Sequence, residues 1–140
     1  MTDRMFDSRF EVLNALAFEF GKQGLEVTVD PNTICVGREQ WDKYSRQILT
    51  MLSAAPAIKD GIKTFYLFAS EQYDSTHSLT KYSIKLCDDQ KKELRAWELD
   101  TKRGQHVHHY SNSEKEMFHL PFTGSINDIA AQIMDFMRMY

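Results

Sequence analysis

Four of the five histidines fall between Arg103 and Phe122, in RGQHVHHYSNSEKEMFHLPF: His106, His108, His109 and His119. An imidazole titrates near neutrality, so it can give or take a proton, and in its neutral form it is a metal ligand. The first chemistry this suggests is metal-free cleavage of RNA at its 2′-hydroxyl. That reaction needs a base, an acid and positive charge for the phosphorane. His106 and His108 supply the first two. Tyr110 would position a phosphate, Lys102 and Arg103 would contact the RNA, and Glu98 or Asp100 would orient an imidazole. No cofactor enters this scheme. The second chemistry is a divalent transition metal such as Zn, Mn or Fe, held by His106, His108 and His119 with a carboxylate. The H-x-H spacing is common, and no HExxH or Cys/His pattern accompanies it. The plain alternative is a polar outer face of an antiparallel sheet, with Glu–His pairs across strands.

Strand alternation decides which of these groups meet. Residues two apart share a face, so His106, His108 and Tyr110 lie on one side, and Val107 and His109 on the other. A turn at Asn112-Ser113 sets His106 opposite His119 and Val107 opposite Phe118, with Phe118, Leu120 and Phe122 buried. The turn DTKRG, read as a three-residue loop, sets Leu99 opposite Val107, Asp100 opposite His106 and Glu98 opposite His108. Trp97, Leu99 and Val107 then face the core. Glu98, Asp100, His106, His108, Tyr110 and His119 share the outer face. A slip of one residue would invert every assignment.

The elements that must hold this hairpin follow from period and punctuation. Ser8 and Glu11 read as a capping box for a first helix, with Phe6, Phe10, Leu13, Leu16, Ala17 and Phe20 as its apolar stripe. Gly21 and Gly24 offer its end. LEVTVD alternates as a strand and ICVG as a short second one. Trp41, Tyr44, Ile48, Met51, Leu52 and Ala55 recur at helical spacing, so the pattern predicts a helix over Arg38 to Ala55, ended by Pro56, with Trp41 in the core. TFYLFAS is apolar on both faces and reads as a central strand. After a polar loop with His77, four short strands follow: TKYSIKLC, ELRAWELD, QHVHHYS and EMFHLPF. Ser125 and Asp128 form a second capping box, opening a helix with Ile126, Ile129, Ala130, Ile133, Met137 and Tyr140 inside. The outer side of that helix, near Met134 and Arg138, is a candidate homodimer surface.

The whole is expected to be one α+β domain over residues 1–140: an antiparallel meander with N-terminal and C-terminal helices on one face. The chain has 140 residues, 42% of them hydrophobic, which suffices for one core. A net charge of −3 excludes a protein that coats nucleic acid by charge alone. Cys35 and Cys87 make no scaffold and suit two reduced thiols. MTDRMFDSRFEV has no apolar signal region, and no run approaches the length of a membrane helix, so a cytoplasmic protein without a membrane partner is expected.

From WELDTKRGQHVHHYSNSEKEMFHLPF through SINDIAAQIMDFM, the chain resembles the TumE-like toxins of toxin–antitoxin loci. The matching positions are Trp97, Asp100, His106, His108, Pro121 and Phe122, within roughly the last 45 residues. The resemblance implies a small α+β toxin with ribonuclease activity, and would carry function only to His106 and His108. The helix-rich N-terminal half departs from that family. A ribonuclease-like protein of a toxin–antitoxin or phage-defence system is therefore the first expectation. The other is a protein-binding module such as an antitoxin, immunity protein or phage-encoded inhibitor, using the sheet face or the last helix. Net acidity suits that second class, since an acidic surface fits the basic cleft of a nucleic-acid enzyme.

Overall fold

The computed structural model describes residues 6–110 and 117–140, and only the backbone of 109, 110, 118 and 121. The elements run α1 (Glu11–Lys22), β1 (Glu26–Thr28), a 3-10 turn (Pro31–Thr33), β2 (Cys35–Asp42), β3 (Gln47–Ala54), β4 (Ala57–Asp60), β5 (Lys63–Tyr73), β6 (Leu79–Cys87), β7 (Glu93–Asp100), β8 (Gly104–Tyr110), β9 (Met117–Pro121) and α2 (Ile126–Arg138). All nine strands join one antiparallel sheet, in the order β1-β4-β5-β6-β7-β8-β9, with β3 also paired to β5 and β2 to β3. This is the expected α+β architecture, with more strands than the pattern predicts. Among the described residues no helix is long and apolar enough to cross a membrane.

The core lies between the sheet and the two helices. Phe10 just before α1, Leu13, Leu16 and Phe20 of α1, and Ile129, Ile133 and Met137 of α2 share one core with Leu67, Ile84, Leu86 and Trp97. The indole Nε1 of Trp97 donates to Gln132 Oε1 at 2.7 Å, which fixes α2 on β7. The capping box at Ser125 and Asp128 forms as expected. The one at Ser8 and Glu11 does not: the N-cap is Phe10, with no side-chain cap of its own. Glu71 replaces it from β5. Its carboxylate is fully buried and accepts from Val12 N and Leu13 N, both at 2.9 Å, and from the Tyr73 hydroxyl at 2.5 Å. Its oxygens thereby satisfy two of the free N–H groups at the start of α1.

The expected helix over Arg38 to Ala55 is instead the β2–β3 hairpin. Its centre carries a side-chain-built turn that competes with helix. Asp42 Oδ2 accepts from Ser45 N at 3.1 Å and Ser45 Oγ at 2.5 Å, Asp42 O accepts from Arg46 N at 2.8 Å, and Arg46 takes φ 58°. The free edge of β5 then supplies a ladder from Thr50–Tyr73 to Ala54–Ala69. Trp41 is consequently 61% exposed rather than core, opposite an equally bare Ile48.

Both C-terminal hairpins pair two residues along from the expected register. Trp97 faces Val107 and Glu98 faces His106; Val107 faces Leu120 and His108 faces His119. The three-residue loop Thr101–Arg103 brings Asp100 opposite Gly104, where φ is 71°. A shift of two keeps the described side chains on their expected faces. Trp97 and Val107 are buried and Leu99 is half-buried, but Leu120, on the edge strand, is 42% exposed instead of buried. The expected turn at Asn112-Ser113 and the side chain of Phe118 lie outside the described residues. The outer face of α2 exposes Asn127, Ala131, Asp135 and Arg138, while Met134 is half-buried, so that face offers dimerisation no large exposed apolar side chain.

Candidate functional site

The face turned away from the helices gathers the residues singled out at the C-terminal hairpins. The row Ser83–Glu98–His106 crosses β6, β7 and β8, and the next row on β8 and β9 pairs His108 with His119. The three imidazole rings lie 5.5 Å (His106–His108), 5.3 Å (His106–His119) and 4.8 Å (His108–His119) apart. Burial falls outward. His106 is 3% exposed, His108 half-buried and His119 exposed at the rim. This face is therefore not simply solvated at its centre.

Hydrogen bonds orient Glu98 and His106. Glu98 Oε2 accepts from Ser83 Oγ at 2.7 Å, leaving Oε1 toward the histidines. Glu98 Oε1 lies 3.3 Å from His106 Nε2 and 3.0 Å from His108 Nε2; Asp100 Oδ2 is 3.9 Å from His106 Nε2. His106 Nδ1 lies 2.9 Å from Gly104 O. A carbonyl only accepts, so Nδ1 carries the proton and the neutral ring keeps its lone pair on Nε2. That lone pair faces carboxylate oxygens. Both Nε2 atoms are sealed from solvent and make no hydrogen bond. The distances are those of ion pairs, yet the angles are not those of hydrogen bonds. Leaving a buried polar atom unpaired costs about 1–3 kcal/mol. The His119 pKa is lowered, first by desolvation of its ring and then by Arg103 and the neighbouring imidazoles, with Glu98 opposing.

Beside this cluster stands a cationic and aromatic corner. Asp100 Oδ1 accepts from Lys102 N at 3.0 Å and Arg103 N at 2.5 Å, which shapes the β7–β8 turn and leaves both side chains exposed. Thr101 Oγ1 donates to Asp42 Oδ2 at 3.0 Å, and Lys81 Nζ lies 3.6 Å from Asp42 Oδ1, so the β2–β3 turn docks on the β7–β8 turn. Tyr44, 50% exposed, then sits beneath Lys43 and Lys102, at 5.2 and 5.9 Å from its ring centre.

The structure thus brings together His106, His108, His119, Glu98 and Asp100, with Lys102 and Arg103 beside them. The side chain of Tyr110 lies outside the described residues, as does that of His109. His77 occupies a separate loop after β5. Sequence reasoning missed Ser83, Asp42 and Tyr44. Ser83 was legible only as a polar position in an alternating strand, and the other two were assigned to a helix. Compared with protein-family models, curated proteins and solved structures, the chain matches none.

Proposed function

We propose that the protein is a small ribonuclease-like protein that cleaves single-stranded RNA at the histidine face, in a toxin–antitoxin or phage-defence setting. The observation that carries this reading is the convergence of His106, His108 and Glu98, with Nε2–Oε1 distances of 3.3 and 3.0 Å, beside the exposed corner of Tyr44, Lys43, Lys102 and Arg103. Exposed aromatic rings stack bases, and the flanking cations meet phosphates, which suits an unpaired strand. The corner is cationic on a chain whose net charge is −3, so RNA would be drawn to one place. The resemblance to TumE-like toxins points the same way.

Within this reading the roles divide by burial. His108 and the rim residue His119 are placed to meet a phosphate. His106, almost sealed, is suited to holding rather than to proton exchange with a bulky substrate. Glu98 orients both inner rings, and Lys102 and Arg103 supply charge. The test is cleavage of a labelled single-stranded RNA by purified protein, with Zn(II), with Mn(II) and with no added metal. His108→Ala is expected to lower the rate by about 10²-fold or more, the scale of a lost acid–base or electrostatic group. Tyr44→Ala is expected to weaken RNA binding with little change in turnover. Absence of cleavage by the wild-type protein in all three conditions would defeat the reading.

A second reading, a non-enzymatic protein-binding module, is favoured by the bare Trp41–Ile48 pair, 61% and 55% exposed. Adjacent large apolar side chains left in water mark contact surfaces. In that case the wild-type protein and His108→Ala would be equally harmless on expression in a bacterial host. Growth arrest relieved by His108→Ala would speak for the ribonuclease.

A further inference from the structure

We infer that His106, His108, His119 and Glu98 form a binding site for one divalent transition-metal ion of the zinc class. This specifies the chemistry of the site proposed above. It rests on that reading for what the ion is used for, and on geometry alone for the binding itself.

Three observations support it. First, the donor atoms of His106, His108 and His119 all lie within 4.8 Å of one another, as do those of Glu98, Asp100 and His106. Ligands of one tetrahedral zinc, bound at about 2.0–2.1 Å, stand roughly 3.3 Å apart. The Glu98 Oε1 separations of 3.3 Å from His106 Nε2 and 3.0 Å from His108 Nε2 are already of that size. Secondly, His106 is 3% exposed and its Nε2, like that of His108, has no hydrogen-bond partner. Donors aimed at a shared point, rather than at each other, give this combination of short distances and poor angles. Thirdly, the groups behind the donors are those a metal site uses. Gly104 O fixes the tautomer of His106, and Ser83 Oγ holds the far oxygen of Glu98. Such partners orient ligands and raise their basicity. The donor set of three imidazoles and one carboxylate suits Zn(II) or its neighbours rather than Mg(II) or Ca(II). An ion here would neutralise Glu98 among the buried lone pairs and act as a Lewis acid toward a phosphoryl oxygen reaching the rim.

The experiment is a titration of chelator-treated, dialysed protein with Co(II), followed by visible d–d absorption, and with Zn(II), followed by calorimetry. The wild type is expected to bind one equivalent. His119→Ala removes an exposed ring that packs no core and so keeps the fold; it is expected to weaken binding more than tenfold. Glu98→Gln is expected to do the same. Ser83→Ala, acting through Glu98, is expected to cost roughly 10-fold, the low end for a supporting hydrogen bond. His77→Ala, at an exposed loop histidine, should bind like wild type. Failure of the wild type to bind either ion, or equal binding by His119→Ala and Glu98→Gln, would overturn the inference. The RNA assay with and without EDTA separates the two proposals. Metal binding without cleavage upholds this site and removes the ribonuclease. Cleavage undiminished by EDTA, in protein that binds no metal, removes this site and leaves acid–base catalysis.

Discussion

At the scale of single residues, environment sorts groups that look alike in the sequence. Cys35 is exposed and Cys87 buried. Burial pushes the Cys87 thiol up to about 11, with Glu93 and Asp88 adding to the effect. Nucleophilic attack needs the thiolate, which Cys87 does not form near neutrality. Ellman's reagent on native protein at pH 8 should therefore report one fast thiol, and Cys35→Ser should remove it. Two fast thiols would contradict the burial of Cys87. The histidines divide in the same way. His77 sits in a polar loop, whereas His106 and His108 share one carboxylate oxygen. No count of histidines in the sequence distinguishes them. Only strand pairing brings Glu98 and Ser83 to His106 and His108.

At the scale of elements, the β2–β3 hairpin is where periodicity misled. Trp41, Tyr44 and Ile48 recur at helical spacing, yet all are at least half exposed. The two tryptophans therefore make a direct comparison. Trp41→Ala should change stability by less than about 0.5 kcal/mol, as at other surface positions. Trp97→Ala, at 1% exposure and with its indole bonded to Gln132, should cost about 3–5 kcal/mol. Urea denaturation of both variants checks this, and comparable losses would restore Trp41 to the core. The C-terminal hairpins were more legible. Their alternation assigned faces correctly although the register slipped, because the slip was by two residues. The loop Thr101–Arg103, with Asp100 turned onto its N–H groups, set the pairing that the pattern alone left open.

At the scale of the whole molecule, long-range ties decide how the layers meet. Glu71 joins β5 to the start of α1 across 59 residues. Glu71→Ala would leave the N–H groups of Val12 and Leu13 unpaired and the Tyr73 hydroxyl without its acceptor, and is expected to cost about 1–3 kcal/mol. Burial raises the Glu71 pKa, with Tyr73 and the helix N–H groups pulling the other way. A raised carboxyl contributes stability that is complete below the ordinary carboxylate range. That stability declines as pH rises through the raised value, where the buried anion must form. Thermal melts of wild type and Glu71→Ala across that range should differ most at the acidic side, and a difference constant with pH would refute the assignment.

By itself the sequence determined the α+β class, the stripes of α1 and α2 (except Tyr140, which is 50% exposed beyond the end of α2), the C-terminal capping box and the shared face of His106, His108 and His119. These follow from periods of 3.6 and 2 and from short-range capping, all local properties of the chain. Tertiary structure decided what periodicity is blind to. The open edge of β5 turned an amphipathic segment into a hairpin, and a distant glutamate capped α1. Strand pairing placed Ser83 behind Glu98 and docked the Asp42 turn beside Lys102. Such contacts depend on which groups are left unpaired once the rest has folded, and that is fixed only by the assembled sheet.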